Sequence, residues 1–169
     1  MDTALRQDFI EGMSRAATFV AVVTTDGAAG RHGVTVSSLT SVSADGDHPS
    51  LLICVHHDSP AATAILQNAA FCANLLGESQ QGLADLFAGR DGGDRADRFD
   101  RSDWSASGAG QPRLAGAAAA FDCTLATSLL WESHYVMVGK VQAVALSPDP
   151  GVLLYGQRGY RRAVQFDGD

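Results

Sequence analysis

The sequence predicts a mainly β protein of the α+β class, built on an antiparallel barrel with flanking helices. Roughly six to eight short strand-like runs follow one another, mostly joined by short turns, and only two or three segments carry helix signals. No glycine fingerprint stands between a strand and a helix, because GAAGRHG after Thr25 is typical of a hairpin loop. The sequence therefore disfavours a dinucleotide-binding α/β sheet.

The N-terminal part predicts one helix followed by a hairpin. Asp2 or Thr3 can cap a helix whose apolar residues share one face, and this helix is expected on the outside of the core. The apolar residues are Leu5, Phe9, Ile10 and Met13. The run from Thr18 to Thr25 is rich in β-branched and aromatic residues, and Asp26-Gly27 supplies a turn before the next strand.

That next strand, within residues 34–41, carries small hydroxyl side chains where an ordinary core strand would carry bulky ones. Its backbone groups stay approachable, so a planar heterocycle with a polar edge would suit its surface. An antiparallel strand with a polar outer face would produce the same alternation. Both interpretations remain open at this point.

The central segment predicts a helix that starts beside a buried strand. Ser50 to Val55 is almost wholly apolar, and Ser59 followed by Pro60 is a strong helix start. The free N–H groups of this helix, the hydroxyls of Ser59 and Thr63 and a nearby arginine could together bind a phosphate.

The rest of the chain predicts a short helix, a charged loop and further strands. Ser79 can cap the helix and Gly89 can end it, whereas 90–101, with Phe99 among its arginines and aspartates, is typical of a solvated loop. Strands are expected at 70–76, 119–130, 133–146 and 151–155. The single domain 1–169 is expected to have an N-terminal helix at 1–17, a mobile loop at 89–112 and a C-terminal tail at 157–169.

Composition narrows the classes of function. The chain has 169 residues, 46% of them hydrophobic, and a formal net charge of -7. It can bury a core, but it lacks the cationic surface that nucleic acid binding requires. No apolar run could span a bilayer and no signal peptide is recognisable, so a cytoplasmic protein without membrane contact is expected. Cys54, Cys72 and Cys123 are expected to be reduced and buried.

Hydrolytic and metal chemistry find little support in the sequence. The G-x-S-x-G signature of a nucleophilic serine is absent. His56 and His57 are adjacent on an extended run and are expected to point to opposite faces, so no metal site is predicted. His134, at the head of a regular strand, is a candidate donor or proton carrier.

Several motifs, taken in order, resemble the flavin reductase family, the NAD(P)H:flavin oxidoreductases that serve two-component flavin-dependent monooxygenases. They are GVTVSSLTSVS, SLLICV, SPAATAIL, FCANLL, QQGLADLFAG, DRF with Trp104 after it, ESHYVMVGKV and LLYGQRGY. The resemblance implies a six-stranded antiparallel FMN-binding split barrel that forms a homodimer. It also implies FMN or FAD as the flavin, NADH or NADPH as the co-substrate, and a monooxygenase partner that receives reduced flavin.

The resemblance further implies roles for individual residues. His134 would be the catalytic residue that contacts the nicotinamide or the flavin. The flavin ring would lie along 34–38, Ser59 and Thr63 would hold the phosphate, and Phe99 would close over the site. The full set of cofactor-binding residues is Val34, Thr35, Val36, Ser37, Ser38, Ser41, Cys54, Val55, His56, Ser59, Thr63, Phe99, Arg158 and Tyr160.

Two departures from the family pattern and two alternatives accompany this assignment. The chain has Asp45 to Pro49 where the family has an Asp-Pro-Pro turn, and Glu132-Ser133-His134 where it has Gly-Asp-His, which leaves the nicotinamide preference undetermined. The same barrel could instead hold flavin or haem as a carrier or sensor. It could also be an oxidase of the pyridoxine phosphate type, although no matching cationic cluster is visible.

Overall fold

The computed structural model describes residues 2–90, 96–148 and 151–165, and strands dominate it. The helices are α1 (Thr3–Ser14), α2 (Pro60–Asn68) and α3 (Gln81–Phe87), with 3-10 turns at Glu78–Gln80 and Ala96–Arg101. The strands are β1 (Thr18–Phe19), β2 (Ala21–Thr25), β3 (His32–Val36), β4 (Thr40–Ser43), β5 (Ser50–His56), β6 (Ala70–Leu75), β7 (Trp104–Ala106), β8 (Pro112–Leu114), β9 (Ala119–Trp131), β10 (His134–Leu146), β11 (Leu153–Gly156) and β12 (Gly159–Arg162).

Seven of these strands form one antiparallel sheet in the order β3-β2-β6-β9-β10-β5-β4. Its two outer strands, β3 and β4, are the halves of one run and are separated only by residues 37–39. Counted as a single bent strand, they reduce the seven strands to six and close the sheet on itself. The predicted fold class, a mainly antiparallel six-stranded barrel, is confirmed.

The hydroxyl of Ser38 joins the two ends of this sheet. It accepts a hydrogen bond from the Cys54 amide at 2.8 Å and donates one to the Cys54 carbonyl at 3.1 Å. Cys54 belongs to β5, so a side chain bridges the strands at the bend where backbone ladder bonds are interrupted. At least one hydroxyl of the hydroxyl-rich strand therefore has a structural role.

Apolar side chains fill the barrel, and a second apolar cluster packs against α3. Ile53, Phe71 and Met137 are fully buried in the first cluster, and Phe87 of α3 anchors the second. Gly139 on β10 leaves room for the Phe71 ring, because a Cβ at this position would lie 2.5 Å from the ring. Such close packing explains why this long strand carries a glycine at its centre.

The loop predicted at 89–112 contains regular structure in its described part. β7 pairs with β8, and the side chain of buried Asn74 accepts a hydrogen bond from the Leu114 amide at 2.8 Å and donates one to the Val22 carbonyl at 3.0 Å. This link between distant segments holds β8 on the barrel. Residues 91–95 lie outside the described residues, and the mobility of the loop stays a prediction.

The helices begin largely where the sequence indicates. The Asp2 carboxylate accepts a hydrogen bond from the Ala4 amide at 2.9 Å, and no residue of α1 is buried, as expected for an external helix. α2 starts at Pro60 after an extended Ser59, whose side chain makes no capping bond. Ser79 lies inside a 3-10 turn and does not cap α3, contrary to expectation. Within the described ranges, no helix is both long enough and apolar enough to cross a membrane.

Replacing Ser38 with alanine tests the closure of the barrel. Both hydrogen bonds to Cys54 would be lost, so we expect the free energy of unfolding to fall by about 1–3 kcal/mol. Ser37→Ala, which changes an exposed neighbour of the same type, is the matched control and should alter stability by less than about 0.5 kcal/mol. Urea unfolding of the three proteins gives both values, and equal stability of the two variants would contradict the role of Ser38.

Candidate functional site

A cavity of about 300 Å³ opens where several elements end. Its walls come from β3, from the turn between β5 and α2, from the end of α3 and from the 3-10 turn Ala96–Arg101. This volume is at the lower end of the range for small-molecule sites, roughly 300–1,000 Å³. Among the lining residues are Arg31, Val34, His56, Ser59, Arg98 and Phe99.

One side of the cavity is suited to an anion. The chain turns sharply after β5, with the Ser59 amide donating to the His56 carbonyl at 3.0 Å, and α2 then begins at Pro60. The first N–H groups of a helix carry partial positive charge and lack partners within the helix. Arg31 and Arg98 line the same cavity, and the buried Nε of Arg98 has no hydrogen-bond partner among the described residues. This donor set fits a phosphate group.

Aromatic rings border the opposite part of the site. Their centroids lie 5.2, 5.6 and 5.1 Å apart in edge-to-face pairs; the rings are those of Phe87, Phe99 and Trp104. Gly33 on β3 permits this packing, because a Cβ there would lie 2.6 Å from the Phe87 ring. Arg31 lies over the Phe99 ring at 5.6 Å and is held by Asp26 at 2.7 Å. The cavity therefore combines a rigid apolar wall with a positioned cation.

Three histidines gather at the rim of the cavity. His56 ends β5 opposite His134 of β10, and their rings pack edge to face with centroids 5.0 Å apart. His57 follows the strand in a turn, and its ring stacks on that of His56 at 4.9 Å. The expectation that the rings of His56 and His57 point to opposite faces is wrong, because the extended backbone ends at His56.

The structure brings four of the predicted cofactor-binding residues to the cavity. They are Val34, His56, Ser59 and Phe99. The predicted catalytic residue, His134, adjoins them through its contact with His56, and its Nδ1 lies 2.9 Å from the Ser133 hydroxyl. These five residues come from four separate parts of the chain, and their contacts with flavin or nicotinamide stay predictions.

Six further predicted residues belong to the adjoining barrel wall: Thr35, Val36, Ser37, Ser38, Cys54 and Val55. Val36 and Val55 are 7% and 1% exposed, so their side chains fill the core and they could offer a ligand only backbone groups. The Thr35 hydroxyl donates to the Ala84 carbonyl of α3 at 2.8 Å. The hydroxyls of this strand thus serve packing as well as any ligand.

The remaining predicted residues lie elsewhere: Ser41, Thr63, Arg158 and Tyr160. Ser41 lines a separate apolar groove beside β4, and Thr63 is exposed on α2. Arg158 pairs with Glu11 of α1 at 3.0 Å, and the Tyr160 hydroxyl donates to the Asp85 carboxylate at 2.8 Å. None of these four is among the described residues that line the cavity, so their roles rest on the resemblance alone.

Sequence reasoning missed Arg31, Phe87 and Arg98. Arg31 directly precedes the hydroxyl-rich strand, and this proximity to Val34 is a signal that could have identified it. Arg98 is one of several arginines in a charged run, and Phe87 matches the ordinary apolar face of a helix. Only the fold distinguishes these two.

The cysteines offer no activated thiolate. Burial, reinforced by the Asp122 carboxylate, raises the pKa of Cys123 to about 12 and also raises the pKa of Cys72. Neutral thiols are poor nucleophiles. All three cysteines are free of disulfides, but Cys54 is partly exposed, so the expected burial holds for two of the three.

A closed antiparallel barrel with an anion-receptive, aromatic-walled cavity is the class of protein that the fold and the site define. The family model described as flavin reductase like domain matches residues 13–163. The chain belongs to this family. The resemblance read from its motifs is confirmed, and so is the predicted enzyme class, an oxidoreductase of the flavin reductase type.

Individual relatives agree with this assignment. The chain is 42% identical over 153 residues to FMN reductase (NADH) RutF 1 of Methylorubrum extorquens, which covers 90% of this chain and 74% of that protein. It is similar to the structure of BorF, the flavin reductase component of a bacterial two-component tryptophan halogenase, with a TM-score of 0.85, 30% identity and coverage of 95% and 99%. The Streptomyces globisporus NADH:FAD oxidoreductase SgcE6 gives a TM-score of 0.86, 28% identity and coverage of 100% and 98%.

Proposed function

We propose that this protein transfers a hydride from NADH to FMN, with NADPH and FAD as the alternative nicotinamide and flavin. The observation that carries the proposal is the single cavity in which an anion-binding end meets an aromatic wall and the edge of β3. The names of its relatives support the choice of substrates, since they include FMN reductase (NADH) and NADH:FAD oxidoreductase. The cytoplasmic location expected from the sequence stays a prediction.

The residues of the cavity divide the work of binding and alignment. Arg31, Arg98 and the first amides of α2 would hold the flavin phosphate, which fits the unpartnered Nε of Arg98. Val34 on β3 and Phe99 would orient the ring and exclude water. A bound flavin supplies the hydride-accepting chemistry, so the protein contributes geometry more than acid–base catalysis.

His134 would act at the rim, where a co-substrate enters. Its ring is held on one side by His56 and on the other by the Ser133 hydroxyl, 2.9 Å from Nδ1. A histidine fixed in this way can donate a hydrogen bond from its second ring nitrogen to a polar group of the nicotinamide. Its contribution would be positioning, so its loss should lower turnover without preventing flavin binding.

We also propose that the reduced flavin passes to a separate flavin-dependent monooxygenase. BorF, which is similar over nearly its whole length, is the reductase component of a two-component system. The described cavity opens to solvent at its rim, where exposed His56 and Asp58 lie, and this supports release of the product. Transfer would then occur by diffusion of free reduced flavin.

Anaerobic mixing of the purified protein with FMN and NADH tests the reductase reaction. We expect the absorbance band of oxidised flavin to bleach only when protein and NADH are both present, because the cavity aligns the two reactants. Repetition with NADPH and FAD sets the preferences. His134→Ala should slow the bleaching while leaving the spectral shift on flavin binding in place.

Other results would redirect or end the proposal. A band that shifts on mixing but bleaches with neither nicotinamide would identify a flavin carrier or sensor. A band that neither shifts nor bleaches would overturn flavin binding itself. Kinetics of His134→Ala that equal those of the wild type for both substrates would remove the role given to His134.

Arg31→Ala tests the phosphate end of the cavity. A charge-assisted hydrogen bond would be lost, so the dissociation constant for FMN should rise by about tenfold or more. Riboflavin lacks the phosphate and should bind both proteins equally. Arg15→Ala, which removes an exposed arginine of the α1 end, is the matched control. Fluorescence titrations measure all four constants, and equal losses for FMN and riboflavin would exclude a phosphate contact.

We further propose that the protein is a homodimer that buries its exposed apolar surface. Phe9 on α1 is 65% exposed and Trp131 at the β9–β10 hairpin is 69% exposed. A groove of about 680 Å³ beside β4 is lined by Val42 and Val144, each about half exposed. Exposed apolar area of this kind is typical of interfaces, and a two-fold copy of the same chain is the commonest occupant.

Size-exclusion chromatography with light scattering tests the dimer. We expect twice the chain mass of 17.6 kDa, and we expect Phe9→Ser to dissociate at higher protein concentration than the wild type because apolar contact is lost. Gln7→Ser, an exposed polar position on the same helix, is the control and should behave as the wild type. A wild-type protein with the mass of one chain would overturn this proposal.

A further inference from the structure

A cluster of metal-ligating side chains stands at the rim of the cavity. Three of the five histidines of the chain meet there, and Asp58 joins them. One ligand atom from each of His56, His57 and Asp58 lies within 4.8 Å of the others. The flavin chemistry proposed above uses neither His57 nor Asp58, so this part of the cluster has no assigned role.

The backbone holds the cluster in a fixed turn. The Ser59 amide donates to the His56 carbonyl at 3.0 Å, and the His57 amide donates to the Ser133 carbonyl at 2.9 Å. Because β5 is paired with β10 up to His56, the turn starts from a strand end that is already in place. Convergence of the three side chains therefore requires only side-chain rotations, and little backbone order has to be gained.

The spacing of the ligand atoms suits a small transition-metal ion. Imidazole nitrogen and carboxylate oxygen bind zinc at about 2.0–2.2 Å, which places tetrahedral ligands about 3.3 Å apart. The Asp58 carboxylate lies 3.0 Å from Nδ1 of His57 and 3.8 Å from Nδ1 of His56. These two distances bracket the required value, so the observed arrangement is close to a binding geometry.

The hydrogen bonds of the cluster are compatible with metal binding. The Asp58 amide donates to Nδ1 of His56 at 3.2 Å, so this nitrogen carries its lone pair outward from the ring toward a donor. An ion at Nδ1 would replace one long hydrogen bond from an exposed amide, which water can satisfy. The side chains of His57 and Asp58 are 44% and 76% exposed, so an ion can reach them from solvent.

We propose that His56, His57 and Asp58 bind one divalent transition-metal ion of the zinc type, with a further coordination position open to water. This differs from the expectation drawn from the sequence, because the turn after β5 brings the two imidazoles to one side. His56 and Asp58 also line the cavity, so the ion would stand at its rim. The inference goes beyond the proposed reductase activity and needs neither flavin nor nicotinamide.

Titration of the full-length, tag-free protein with Co²⁺ after chelator treatment, followed by displacement with Zn²⁺, tests the site. We expect visible absorption bands that saturate at one ion per chain and disappear when zinc is added. His57→Ala and Asp58→Asn each remove one ligand and should weaken binding by at least about tenfold. His48→Ala removes an exposed histidine outside the cluster and should leave the affinity unchanged.

Three results would overturn the proposal. They are no saturable Co²⁺ absorption in the wild type, unchanged affinity in both cluster variants, and an equal loss of affinity in His48→Ala. Circular dichroism of each variant establishes that it is folded, which is expected because the substituted side chains are exposed. The titration contains no flavin, so failure of the metal site and failure of the reductase activity are distinguished.

Discussion

The double hydrogen bond between the Ser38 hydroxyl and the backbone of Cys54 is the contact on which the barrel and its cavity depend. It allows one bent run of chain to pair with β2 through its first half and with β5 through its second. Without it, the two edges of the sheet would be free to separate and would expose unpaired backbone groups. The cavity would open as well, because β3 and the end of β5 are two of its walls.

The parts of the fold that were predictable are those with strong local signals. The hairpin between β2 and β3 follows from Asp26-Gly27, and the start of α2 follows from Ser59-Pro60. Val34 and Ser59 were placed in the candidate site for the same reason, since each lies on one of these well-marked elements. Proline and turn-forming residues restrict the backbone directly, so their effect hardly depends on the rest of the protein.

The parts that were not predictable depend on contacts between distant segments. β8 is held by Asn74, which lies on another strand far away in the sequence. The histidine cluster exists because β5 ends at His56, and a boundary shift of one residue would have reversed the direction of the next side chain. Arg98 is distinguished from its neighbouring arginines only by the cavity that it faces. Local sequence patterns contain none of this information.

The net charge of -7 does not conflict with an anionic ligand, because the relevant field is local. Charges separated by more than about 8–10 Å are largely screened at physiological salt, whereas Arg31, Arg98 and the start of α2 all lie at one cavity. A flavin held by this single cationic end and an open rim would be bound through few contacts. Affinity differences appear mainly in dissociation rates, so a larger donor set would slow release. A modest donor set is therefore the arrangement that favours handing reduced flavin to a second enzyme.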